Sequence, residues 1–263
     1  MGKSRLIVLL LLTLVLPLLI LSDNGFARDF KVYGYNTPKK GETELSYWID
    51  YFIKSDNKYR FLDNNFIDKE KLFRHTFEIE YGLTDRWTIS GYIDFEDPKG
   101  ENLEYVQARA VITRYRFFEK GERFFDSAIY FEYYIPDEKY KSSEHLETMI
   151  IFEKEISKIA LILNSKFDKK LSGDDVVKEG MEFEYSAGVY YPISSTIKTG
   201  LEFHGKFGEL RNFKSFDEQE HLIFPTVDMK LAKYLNANLG IGVGLTDNSD
   251  DLVFKVIFEY ELE

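Results

Sequence analysis

Met181-Glu-Phe-Glu-Tyr-Ser-Ala-Gly-Val-Tyr-Tyr191 alternates without a break: Met181, Phe183, Tyr185, Ala187, Val189 and Tyr191 share one parity, and Glu182, Glu184, Ser186, Gly188 and Tyr190 the other. Leu235-Asn-Ala-Asn-Leu-Gly-Ile-Gly-Val-Gly-Leu245 does the same, with Gly240, Gly242 and Gly244 in a row on the second parity. Successive side chains of a strand point to opposite faces, so a period of two means a strand with two different environments. Outward from these stretches the pattern recurs, and it predicts strands over 41–54, 71–82, 86–96, 103–117, 123–135, 145–154, 157–168, 180–191, 196–207, 221–231, 234–245 and 252–262. No segment after Lys40 carries an apolar stripe of helical period. Strand four holds one conflict: Val106, Ala108, Ala110 and Ile112 share a face, while Tyr115 and Phe117 have the other parity, which calls for a β-bulge near Thr113.

The connections alternate too. Those at 83–85, 118–122, 155–157, 192–195 and 232–234 are short, and those at 55–70, 97–102, 136–144, 169–179, 208–220 and 246–251 are longer and polar. Twelve strands with tight turns at one end and long loops at the other are the layout of a closed antiparallel transmembrane β-barrel with both chain ends in the periplasm. A soluble barrel has the same period with its apolar face inward, so placement along the strands decides between them. On the apolar face, Tyr81, Trp87, Tyr191 and Tyr260 sit at the short-turn end, and Tyr51, Phe73, Phe95, Tyr133, Phe167 and Phe207 at the long-loop end. Ile49, Ile89, Ile129, Leu161, Leu201 and Ile241 lie between them. Two aromatic belts around an aliphatic band suit a bilayer and its interfaces.

Composition agrees with that class. The 263 residues include 23 Phe, 18 Tyr and 2 Trp, too much apolar area for a disordered acidic chain. A net charge of -11 and the absence of cysteine argue against nucleic acid as a partner and against a cysteine-based zinc module. Lys3 and Arg5 ahead of an apolar run from Leu6 to Leu21, then Gly25-Phe26-Ala27, have the form of a secretory signal peptide over 1–27. Sixteen residues containing Pro17 are short for a bilayer span, which takes roughly 20. Residues 28–40 then form a periplasmic N-terminal segment and 41–263 an outer-membrane barrel.

Glu80-Tyr81-Gly82-Leu83-Thr84-Asp85-Arg86-Trp87, Pro225-Thr226-Val227, and Gly244-Leu245-Thr246-Asp247 before a last alternating strand resemble bacterial outer-membrane β-barrels. The resemblance is strongest to transporter-like barrels grouped with phenol-degradation-pathway outer-membrane proteins, and it covers essentially the mature chain. It implies a Gram-negative outer-membrane location, insertion by the barrel-assembly machinery, and outer-membrane lipid and lipopolysaccharide as surroundings. Such barrels commonly end in an aromatic residue; here Phe258, Tyr260 and Leu262 carry the alternation and Glu263 follows.

With the apolar faces toward lipid, the enclosed wall receives mostly carboxylates. Pore-lining candidates are Arg74, Glu78, Asp94, Arg109, Glu132, Lys166, Glu182, Glu184, Glu202, His204, Lys206, Asp228, Gly240, Gly242 and Gly244. A net-acidic wall of low dielectric favours cations or neutral solutes over anions. The bland alternative is a bore knitted shut by ion pairs. The glycine lane is either clearance for a solute or an inserted segment, such as 28–40 or the 55–70 loop, or a set of kinks that let the sheet curve. Its spacing and context do not fit a phosphate-binding loop.

An enzyme reading finds little. Outer-membrane phospholipases place a Ser two residues after the catalytic His, and His75-Thr-Phe, His145-Leu-Glu, His204-Gly-Lys and His221-Leu-Ile all depart from that. Asp247, Ser249 and Asp251 echo the opening of a calcium loop without its Gly or closing Glu. No catalytic residue, metal site or cofactor is therefore assigned. The sequence points to a porin-like or transporter-like barrel for passive passage of small cationic or neutral solutes, with the 55–70 loop or the N-terminal segment as constriction. The alternatives are a non-conducting structural or binding barrel and a lipid-modifying enzyme.

Overall fold

In the computed structural model, which describes residues 30–62, 65–172 and 180–262, the alternating segments are strands of one antiparallel sheet closed on itself. Twelve long strands form the wall: β1 Thr43–Lys54, β2 Phe73–Thr84, β3 Trp87–Asp97, β4 Glu104–Arg116, β5 Asp126–Pro136 and β6 His145–Ile156. The circuit continues with β7 Ile159–Lys170, β8 Glu182–Pro192, β9 Ile197–Glu209, β10 Glu220–Lys230, β11 Leu235–Gly244 and β12 Leu252–Leu262. Each pairs with its neighbours in sequence, and β1 closes the ring on β12 from Thr43↔Leu262 to Lys54↔Leu252. Closure leaves no unpaired edge, the condition for strands in hydrocarbon. No described helix is long and apolar enough to cross a membrane.

The inside-outside assignment follows the alternation. Tyr81, Trp87, Tyr191 and Tyr260 of one belt are exposed, as are Ile89, Leu161, Leu201 and Ile241 of the band. Glu78, Glu80, Asp94, Glu132 and Glu202 are almost fully enclosed.

The exceptions have local causes. β4 changes register against both neighbours, between Ala110 and Thr113 against β5 and at matching places against β3. Beyond that bulge Tyr115 and Phe117 face outward and Arg114 inward, as the parity conflict requires. A second irregularity opposite Asp94 and Phe95 turns Val106 into the bore beside Gln107, which corrects its expected place on the lipid face. The connection after β4 runs 117–125, longer than the expected 118–122, because the Asp126 carboxylate accepts from the Gly121 amide at 2.6 Å and shapes a wider turn.

The two segments named from the sequence as candidate constrictions both enter the bore. Part of the 55–70 loop is a small hairpin of Lys58–Phe61 with Asn65–Asp68. Tyr59 and Phe61 from it pack with Phe52, Leu72, Tyr140, Leu222, Phe224 and Val253 into a cluster at the long-loop end. The N-terminal segment, read from the sequence as periplasmic or as a constriction of the bore, runs through the barrel as an extended strap from Phe30 to Tyr35, and Phe30 joins the same cluster. The export signal over 1–27 lies outside the described residues.

Candidate functional site

An extended strap inside a barrel has no sheet to take up its peptide groups, so the wall must supply side chains for them. Asn164 of β7, fully enclosed, accepts from the Tyr33 amide at 2.7 Å and donates to the Tyr33 carbonyl at 2.9 Å, as a neighbouring strand would. Glu153 accepts from the Tyr35 amide at 2.8 Å, Arg114 donates to the Gly34 carbonyl at 3.3 Å, and Lys255 donates to the Phe30 carbonyl at 2.6 Å. Side chains lock it further. Tyr33 packs against Trp48 and Tyr130, and Phe30 lies edge-on to His204 and close to Phe224. The strap crosses the rim over Gly82, where a Cβ would lie 1.9 Å from the Lys39 carbonyl oxygen, so only glycine permits the close approach.

Above the strap the bore is shut. The apolar cluster is tied down by a polar clamp in which Asp250 pairs with Lys69 at 2.7 Å and accepts from the Ser55 hydroxyl at 2.7 Å. Burial opposes ionisation of Asp250, but the Lys69 ammonium and the Ser55 hydroxyl outweigh it and hold the carboxyl below the usual carboxylate range. The loop tip that echoes a calcium site thus holds the cap instead, and Asn57 also donates to the Asn248 carbonyl at 3.1 Å.

Below and beside the strap the barrel is open toward the short-turn end as a cavity of about 1040 Å³. Its walls carry Glu153, Tyr190, Glu202, Asp228, Lys255 and Glu259 among others, and carboxylates outnumber basic groups nine to seven.

Most candidates from the sequence lie on the inner wall, in separate groups. Arg109, fully enclosed, bridges Asp94 and Glu132, each at 2.9 Å, and its guanidinium lies 4.3 Å from the Tyr92 ring centroid. Two buried carboxylates thus share one planar guanidinium. Arg74 pairs with Glu96 at 2.9 Å rather than with its neighbour Glu78. Glu182 and Glu184 share Lys206, and Asp228 meets Lys198 at 3.5 Å and Asn238 at 2.9 Å. Lys166 is buried in the wall. Gly240 makes room for Thr226 and Lys255, Gly242 for the Phe224 ring, and Gly244 for the Asp250 backbone and the Ser249 side chain, so the lane accommodates wall and cap rather than open space.

His204 joins Ser186 at 3.0 Å and Glu202 at 3.1 Å. The three residue types match a hydrolase relay, yet neither Ser186 nor His204 lines the cavity, and the Phe30 and Phe224 rings cover the imidazole. Among the described residues no group of three or more His, Asp and Glu is arranged to hold a metal ion.

Of the residues that matter most to the bore, Phe30, Lys31 and Tyr33 lie in the segment weighed from the sequence as a constriction without being singled out, and Asn164 and Arg114 were missed. A signal was present. Lys31, Tyr33 and Tyr35 alternate with Val32 and Gly34, and Trp48, Phe52, Tyr92, Tyr130 and Phe224 stand on the polar parity of their strands. Large aromatic rings on a water-facing parity mean a bore that is filled.

No protein-family model matches the chain, and no curated protein sequence does either. Its fold is that of solved outer-membrane channels and porins. An outer membrane channel from Pseudomonas putida F1 superposes with a TM-score of 0.58 at 11% identity, over 90% of this chain and 100% of the other. The KdgM porin gives 0.56 at 9% identity over 84% and 99%, and the NanC porin 0.55 at 8% over 83% and 100%. These neighbours are channels and porins, and they share with this chain the fold of a closed barrel with an apolar exterior.

Proposed function

We propose that the barrel is an outer-membrane conduit for small solutes, cationic or neutral, caught here with its outer mouth closed. The observation that carries this reading is that half of what blocks the bore does not belong to the wall: Phe30, Tyr59, Phe61, Leu72 and Tyr140 close over the wall side chains Phe52, Val106, Leu222, Phe224 and Val253. A strap and a loop hairpin fill it, while the wall beneath surrounds a charge-lined cavity open to the periplasm. Withdrawing the strap would extend that cavity upward past Asn164 and His204. Arg109, Glu132, Glu202, Asp228 and the other inner-wall candidates would then border the path. One KdgM structure holds an oligogalacturonate, a polyanion; the excess of carboxylates in this bore argues for the opposite charge preference. The likeness to phenol-degradation-pathway barrels suits a conduit and adds no solute of its own. The exposed apolar band is the surface that the assembly machinery, lipid and lipopolysaccharide would meet.

Planar-bilayer recording of the full chain and of a variant lacking residues 30–37 tests the reading. The full chain should open rarely, and the variant should conduct steadily with a reversal potential in a KCl gradient on the cation side. The dry cluster at the outer mouth favours a second reading, a non-conducting binding barrel; silence in both proteins would establish it and overturn the conduit.

A further inference from the structure

We propose that the place in the bore now holding the Lys31 ammonium is a recognition site for a diffusible primary ammonium, so that alkylamines and diamines are the solute class. The inference rests on the conduit reading and narrows it. The Lys31 Nζ lies 3.2 Å from Glu78 Oε2, 3.1 Å from Glu259 Oε1 and 4.8 Å from the centroid of the Trp48 ring. These groups stand on β2, β12 and β1, with Glu78 and Trp48 almost fully enclosed. An ammonium offers three donors on one compact charge. Two carboxylates take donors, and the ring face takes charge that would otherwise be desolvated without compensation.

The source of the cation sets this place apart. Asp94 and Glu132 share Arg109 as their cation, and Glu96 pairs with Arg74, Glu80 with Arg114, Glu202 with Lys255 and Asp228 with Lys198, all residues of the wall itself. Glu78 and Glu259 alone among these take their cation from the strap, and among the described residues neither pairs with a cation of the wall. The wall is therefore built with a carboxylate pair and a ring face whose complement arrives from outside the sheet. Remove Lys31 and Glu78 stays enclosed without its counter-charge, which drives binding of a replacement. Access exists as well, since Lys31 and Glu259 both border the cavity open to the periplasm, with Glu44 and Glu80 beside them. Lys31 acts as a tethered stand-in for the solute, and solute and strap compete for one place.

The test uses the full chain carrying Trp87→Phe, which leaves Trp48 as the single tryptophan, with heat-modifiable gel migration confirming that each variant is a closed barrel. 1,5-Diaminopentane is titrated against Trp48 fluorescence, with 1,5-pentanediol as the neutral isostere, and flux of both is measured in proteoliposomes. Lys31→Met should bind the diamine about ten-fold more tightly than the chain with Lys31, should leave the diol without effect on fluorescence, and should pass diamine in preference to diol. Adding Glu78→Gln should abolish that preference. Equal response to diamine and diol, or diamine binding that survives Glu78→Gln, overturns the ammonium site. Diol and potassium flux without diamine binding leaves the conduit standing and removes this inference. Diamine binding without any flux sustains the site and removes the conduit.

Discussion

The two halves of the bore are closed and opened by different physics. At the outer end Phe30, Phe52, Tyr59, Phe61, Leu72, Phe224 and Val253 exclude water, and only a few of these side chains come from the middle of a wall strand. At the short-turn end the same wall turns ionic and leaves about 1040 Å³ unfilled. Hydrophobic burial makes the stopper, and charge makes the vestibule. The contrast teaches that an acidic inner wall and a blocked bore are compatible, because a strap and a hairpin that the barrel does not need in order to close complete the blockage against a few apolar wall side chains.

Substitutions in the two halves should differ accordingly. Phe52→Ala, beneath the Lys69 ammonium and against Phe30, should have the largest effect, a loss of about 3–5 kcal/mol in denaturant unfolding from lipid vesicles, together with frequent openings in bilayer recordings. A loss no greater than that of a surface substitution would mean that the outer cluster is not packed as described. The Asp250 clamp comes next. Its carboxyl is held below the usual range in the folded protein, so its stabilisation is complete above that range and fades as pH falls through the depressed value. Acid should therefore loosen the 55–70 hairpin toward proteolysis. Asp250→Asn should cost about 1–3 kcal/mol at neutral pH and flatten that acid response; an unchanged pH profile would remove the clamp from the account. The smallest effect belongs to the vestibule, where the Lys198–Asp228 pair is partly solvated. Lys198→Met should change stability by less than about 1 kcal/mol and shift only the charge preference of the current, so a large destabilisation would show that the vestibule is as tightly built as the stopper.

How far the site was legible depends on which residue is asked about. Glu78, Asp94, Arg109 and Glu132 were legible as inner-wall groups, because parity along one strand places them there whatever the rest of the barrel does. Their partners were not. Arg109 reaches Asp94 and Glu132 across two neighbouring strands, while Arg74 ignores Glu78 on its own strand for Glu96 on the next. Val106 was misplaced because a second irregularity, which no parity conflict betrays, inverts the face there, whereas the conflict that called for a bulge near Thr113 already turns Arg114 inward.

The chain's own order of residues determined twelve alternating strands, short and long connections in turn, two aromatic belts, and hence a closed barrel in a membrane. These are local regularities, repeated often enough that a residue or two of error at each strand end changes nothing. Only the tertiary structure decided what occupies the interior. The strap and the 58–68 hairpin are short, aperiodic pieces whose place depends on contacts such as Asn164 with Tyr33 and Lys255 with Phe30, 131 and 225 residues apart in the chain. Such contacts exist only once the sheet has closed around them.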